Sequence, residues 1–310
     1  MLYNLLPWIV FFVIIIVMLF LDLGVFQKRS HKVPMKEAVI WTLVWISLAL
    51  LFNLGIYFYK GPEPALNFLT GYLLEKSLSI DNIFVFILIF SYFKVADEFQ
   101  HKVLFWGIIG ALIMRAIFIG VGITLMHMFH FMIYIFGAFL IIIAIKMLVE
   151  KDKEIHPDKN PILNLFKRFF PISDFNSGNK FFIRKDNGRL FATSLFIVLI
   201  VIETTDIVFA VDSIPAILAI TDDPFIVFTS NIFAILGLRA LYFAIAGIMK
   251  LFKYLSYALS AILAFIGVRM LISDFYKIPT IKALLIIAVI LAISILLSIF
   301  INYKSQRKRD

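Results

Sequence analysis

A chain of 310 residues that is 62% hydrophobic, only 16% charged and has a mean hydropathy of +1.00 carries too few polar side chains to clothe a water-facing globule. Its net charge of +9 would suit a polyanion, but the Lys and Arg residues cluster between hydrophobic runs. There they report membrane orientation and contact with anionic lipid rather than nucleic acid. The chain has no cysteine, which excludes thiolate metal sites and thiol redox chemistry on the chain itself, so any bound metal must use oxygen or imidazole ligands.

The first apolar run follows MLYNLLPW with no positively charged n-region and no small-residue cleavage site before QKRSHK, so it reads as a retained helix. With a window long enough to cross a bilayer, nine apolar spans are expected, at 6–24, 38–58, 67–93, 103–124, 127–149, 191–219, 225–249, 252–272 and 281–302. The runs are too long and continuous for barrel strands. The expected fold class is therefore all-α, a polytopic membrane protein of about nine transmembrane helices.

Positive charge gathers in alternate connections: Lys28, Arg29, Lys32 and Lys36; Lys94 and Lys102; segment 150–190; Lys250 and Lys253; and the tail from Lys304 to Arg309. The other loops hold only Lys60 and Lys277. The positive-inside rule then places the N-terminus outside and the C-terminus in the cytoplasm. Segment 150–190 is the only long polar stretch, broken by Pro157, Pro161, Pro171 and Gly178. It is expected to be a cytoplasmic linker, with an interfacial amphipathic turn around LNLFKRFF and a possible docking place for protein partners.

The two halves resemble each other. Glu75-(x)5-Asp81-Asn82-Ile83 answers Asp206-(x)5-Asp212-Ser213-Ile214, Arg115-Ala-Ile-Phe answers Arg239-Ala-Leu-Tyr, and the run ending Lys146-Met147 answers the run ending Arg269-Met270. Each unit holds three spans, and an odd number of crossings forces the second upside down. The expected organisation is two outer helices (1–66), repeat 1 (67–149), the linker (150–190), repeat 2 (191–272) and a last helix with a basic tail (273–310). Inverted repeats of this kind accompany alternating-access transporters whose site lies between the repeats at mid-membrane.

Five acids lie inside apolar spans: Glu75, Asp81, Glu203, Asp206 and Asp212. One charged acid at the bilayer centre costs at least ~2.5 kcal/mol, so a group of five implies a shared counter-ion or a wet pathway. Glu75, Ser79 and Asn82 share one helix face, as do Glu203, Asp206, Ala210 and Ser213, with Thr205 beside them. A twofold would bring these faces together into a set of oxygens suited to a hard divalent cation. Asp81 and Asp212 fall off the stripe, and Pro215 is expected to kink or unwind the chain beside Asp212. The competing reading is ion pairing that only fixes helix packing, for which Lys76, Arg115, Arg239 and Arg269 are partners; Arg115 and Arg239 would also serve as caps of an empty site. His127 and His130 lie in a short external turn, where imidazole could bind metal or simply be solvated, and the solvated reading is preferred. An intramembrane aspartyl protease is disfavoured because its Gly-x-Gly-Asp pattern is missing, so no enzyme activity is expected.

The stretches LEKSLSIDNIFVF (74–86), ETTDIVFAVDSIPAIL (203–218) and TSNIFAILGLRALYF (229–243) resemble the TerC family of membrane proteins, associated with tellurium resistance and related to the lysine-exporter group. The resemblance implies a bacterial inner-membrane protein, Mn²⁺ export or metal supply to exported proteins, and the five acids above as its intramembrane carboxylates. No tightly bound cofactor is expected beyond the transported Mn²⁺ or another divalent cation, with protons exchanged at the same groups. The family's description as a redox modulator finds no cysteine or cofactor motif here.

Overall fold

In a computed structural model, residues 2–26, 34–129, 131–149, 180–184, 190–246, 255–276 and 278–306 are described. Helices α1 (Leu2–Phe26), α2 (Met35–Lys60), α3 (Pro62–Tyr92), α4 (Asp97–Met128) and α5 (Met132–Val149) form the first half. A short antiparallel ribbon follows, β1 (Phe182–Arg184) with β2 (Leu190–Ala192). The second half holds α6 (Ser194–Leu218), α7 (Pro224–Leu236), α8 (Leu238–Ala246), α9 (Leu255–Leu271) and α10 (Thr280–Gln306). All nine expected spans are helical, and six of them are long and apolar enough to cross a membrane by length and composition. Helices of 31 and 32 residues, α3 and α4, reach about 45 Å at 1.5 Å per residue and so tilt or project beyond a ~30 Å hydrocarbon layer.

Three expectations need correction. The linker ends in the short ribbon, whose second strand takes residues 190–192, so the sixth span, expected from 191, starts as a helix only at Ser194 within an otherwise all-α fold. The span expected at 225–249 is two helices, broken at Gly237. The break expected at Pro215 does not form. Proline sits in the last turn of α6, where one lost backbone bond costs little, and the Ala219 amide still donates to the Pro215 carbonyl at 3.0 Å. The amphipathic turn around LNLFKRFF, most of the 150–190 segment and His130 lie outside the described residues.

Local chemistry sets several helix ends. Gly61, at φ +100°, closes α2 and hands on to Pro62 at the first position of α3. Asp223 caps α7 by accepting from the Phe225 amide at 2.9 Å, with Pro224 next, and Lys60 Nζ lies 2.6 Å from its other carboxylate oxygen.

The two halves interlock rather than sit side by side. Helix α3 packs on α7, α4 on α6, α5 on α9, and α3 on α6. A twofold that exchanges α3 with α6, α4 with α7 and α8, and α5 with α9 requires this set of contacts. At the α5–α9 crossing, a β-carbon on Gly267 would lie 2.7 Å from the Gly137 carbonyl, and Ser260 Oγ donates to the Ala144 carbonyl. Gly137 aligns with Ser260 and Ala144 with Gly267, so these contacts are counterparts and the helices run antiparallel. Small residues at the seam let the backbones approach closely, the usual way helices associate where lipid removes the hydrophobic drive. Helix α7 is buried nearly all round, while α1, α2 and α10 expose rows of large apolar side chains such as Ile9, Phe58 and Leu296.

Candidate cation site

The two acids that answer each other in the repeat, Glu75 and Asp206, sit halfway along α3 and α6 and converge on one guanidinium. Arg115 of α4 is 1% exposed, Glu75 0% and Asp206 4%. Arg115 Nη1 donates to Glu75 Oε1, and Nε and Nη2 each lie 3.5 Å from an Asp206 oxygen. Nη1 also donates to Ser213 Oγ at 3.2 Å and Asn231 Oδ1 at 3.3 Å. Asn231 Nδ2 in turn donates to Glu75 Oε2 at 3.0 Å. Both oxygens of Glu75 are therefore satisfied, while Asp206 is held more loosely. Seven-residue spacing keeps Asp206 and Ser213 on one face of α6, as it does Glu75 and Asn82 on α3.

Two small cavities adjoin the cluster. One of ≈ 20 Å³ is bounded by Glu75, Asn82, Arg115 and Ser213 against Phe209 and Leu263. The other, ≈ 10 Å³, is bounded by Asp206 and Arg239 with Gly107, Ala111 and Ile235. Holding one water takes roughly 10–15 Å³, so the first admits one small particle and neither admits a hydrated divalent ion. Among the described residues no three carboxylate or imidazole side chains assemble around a point.

Of the residues singled out from the sequence, Glu75, Asp206, Ser213 and Arg115 come together, with Asn82 on the shared cavity. Arg239 is buried on the other cavity, with Asp206. Glu203, one turn before Asp206 on α6, places its carboxylate so close to Gly110 of α4 that a β-carbon there would overlap it, and among the described residues it makes no hydrogen bond to Arg115. Thr205 Oγ1 donates to the Val201 carbonyl at 2.7 Å, within its own helix. Ser79 is fully buried, and its hydroxyl has no partner among the described residues. Asp81 and Asp212 lie on helical backbone in α3 and α6, but their side chains fall outside the described residues.

Two residues were not foreseen in these roles. Asn231 belongs to the TSNIFAILGLRALYF stretch, where a Thr-Ser-Asn run in an otherwise apolar span is the signal for it. Lys76, expected as an ion-pair partner of Glu75, turns the other way and donates to the Ala234 carbonyl of α7 at 3.2 Å. Its ammonium sits at the break, 2.6 Å from where a Gly237 β-carbon would be. It thereby supplies a donor to a carbonyl in the last turn of α7, where helix ends need one.

Fold and site together define a polytopic helical membrane protein with a charged cluster buried between two interlocked helix triplets. The chain belongs to the TerC family of integral membrane proteins, which it matches over residues 60–309. It is similar to an uncharacterized membrane protein of Myxococcus xanthus, 50% identical over 94% of this chain and 91% of that one. It is also similar to the putative membrane-bound redox modulator Alx of Escherichia coli K12, 44% identical over 97% of each, and to a membrane protein of Rickettsia bellii, 40% identical over 94% and 96%. No solved structure matches the chain.

Proposed function

We propose that this protein is a secondary transporter of divalent metal cations, with outward movement of Mn²⁺ as its principal activity and Glu75 and Asp206 at the centre of its site. The observation that carries this reading is the meeting of one carboxylate from each repeat at a point halfway along two buried helices. Such groups are costly in a bilayer, and their usual role there is on an ion or proton pathway. Asn82, Asn231 and Ser213 add neutral oxygens of the kind hard cations take, and Asp81, Glu203 and Asp212 extend the acidic path. Two carboxylates with one guanidinium leave one negative charge, which a proton balances; a divalent ion neutralises both acids by itself, so its entry displaces the proton and turns the guanidinium away from the pair. Exchange of metal against protons follows from that arithmetic. The action is transport, not catalysis.

The charge of the loops supports a bacterial inner-membrane setting with the N-terminus outside and the C-terminus cytoplasmic. The test is flux in liposomes containing only this protein, screened over Mn²⁺, Ca²⁺, Mg²⁺ and Zn²⁺ with a pH-sensitive dye inside. Cation movement with opposite proton movement is expected from the native protein. Transport that survives Asp206→Asn together with Asp212→Asn rules the site out.

A second reading comes from the relatives named redox modulators: a non-transporting partner that hands metal to exported proteins or supports resistance to tellurite and redox stress. With no cysteine in the chain, such an effect would act through metal supply. Under it, deletion of segment 150–190 abolishes the phenotype while substitutions of the acids leave it intact.

A further inference from the structure

We infer that Arg115 and Arg239 are alternating tethered counter-cations: Arg115 holds the Glu75–Asp206 pair in the conformer described, and Arg239 takes that place when the repeats exchange conformations. The inference rests on the transporter reading and adds to it how an empty carrier returns.

Its first support is asymmetry at a symmetric site. Glu75 answers Asp206 and Arg115 answers Arg239 in the internal repeat, and the packing of α3 on α7 mirrors that of α6 on α4. Yet one arginine, Arg115, reaches the carboxylates of both repeats. The twofold maps this arrangement onto one in which Arg239 reaches Asp206 and Glu75. The second support is position. Arg239 is buried and bounds, together with Asp206, a cavity separate from the one that Glu75 and Arg115 bound, so it already shares a space with one member of the pair. Small residues, Gly107 and Ala111, line that cavity where a guanidinium would have to pass.

The third support is energetic. Two carboxylates crossing the membrane interior without a positive partner are uncompensated buried charges, costly by several kcal/mol. A loaded carrier has its cargo for that purpose; an empty one needs a charge of its own in each state. Arginine suits the part, because it stays charged and its fork spans two acceptors. Lys76 does not serve, since its ammonium is turned to the α7–α8 break.

The experiment compares two modes of transport by the full chain in proteoliposomes. Net flux, with Mn²⁺ on one side only, needs the empty carrier to return; isotope exchange, with equal Mn²⁺ on both sides, does not. Arg115→Gln and Arg239→Gln are each expected to lower the ratio of net flux to exchange by about tenfold or more. Arg115→Lys and Arg239→Lys, which keep the charge and lose the fork, should lower it less, and they carry the test if a glutamine variant does not elute as a single species. Net flux and exchange falling together, neither falling, or only one arginine mattering would overturn the inference. Absence of both modes in the native protein would instead overturn the transporter reading.

Discussion

At the residue level the cluster around Arg115 is a buried ion pair whose members depend on one another. Removing one partner leaves a bare charge in a low-dielectric interior, whereas replacing both with apolar groups of similar size is close to neutral. Arg115→Met should therefore lower stability by about 3–5 kcal/mol, and adding Glu75→Gln and Asp206→Asn should recover much of it, read by thermal unfolding in detergent. Purely geometric packing would give losses that add. Gly110→Ala makes a contrasting case. The group it meets is the end of the flexible Glu203 side chain, so unfolding should move little while any flux depending on Glu203 changes. Arg115 was expected both as an ion-pair partner and as a cap, and it touches both repeats. What the residue types could not tell is which arginine takes the pair, because the repeat makes Arg115 and Arg239 equivalent in sequence.

At the level of elements, the α7–α8 break and the α5–α9 seam are the two places where backbone geometry governs. Lys76→Met leaves the Ala234 carbonyl without its ammonium and should cost about 1–3 kcal/mol; unfolding in detergent, with Lys76→Arg as partial rescue, checks it. At the seam a β-carbon on Gly267 would meet the Gly137 backbone at 2.7 Å and Ile141 Cγ1 at 2.8 Å. A backbone carbonyl cannot swing aside, so Gly267→Ala should push α5 and α9 apart and lower stability by about 1–3 kcal/mol, more than Gly120→Ala, whose β-carbon meets nothing within 4 Å. The nine spans were legible because twenty-residue apolar runs have one use in a bilayer. The break falls between α7 and α8 and not beside Pro215: a proline is visible in sequence, but its effect depends on its distance from the helix end. At Gly237 the chain carries no side chain, and the space a β-carbon would take is held by Lys76 and Trp45 of neighbouring helices, a contact that residue order does not reveal.

For the whole molecule, the loop charges predict which side each opening faces. A cavity of ≈ 760 Å³ lies among the start of α3, the ends of α6 and α9 and the start of α10, with Glu63, Arg269 and Ser273 on its wall. The positive-inside rule puts that wall outside. Since the chain has no cysteine, Ser273→Cys provides a single label: an impermeant maleimide should reach it from outside intact cells, and labelling only after lysis would reverse the topology.

The class of protein, its helical spans, its duplication and the candidate acids follow from residue order alone, because hydropathy, charge between spans and repeated motifs are properties of the chain read in one dimension. The meeting of Glu75 with Asp206 across one guanidinium, the turning of Lys76 away from its neighbour and the packing of Glu203 against Gly110 depend on helix rotation and depth. Those are set by how the two triplets pack, where close approach at small residues and the need to neutralise buried charge select one arrangement among many that the same pattern allows.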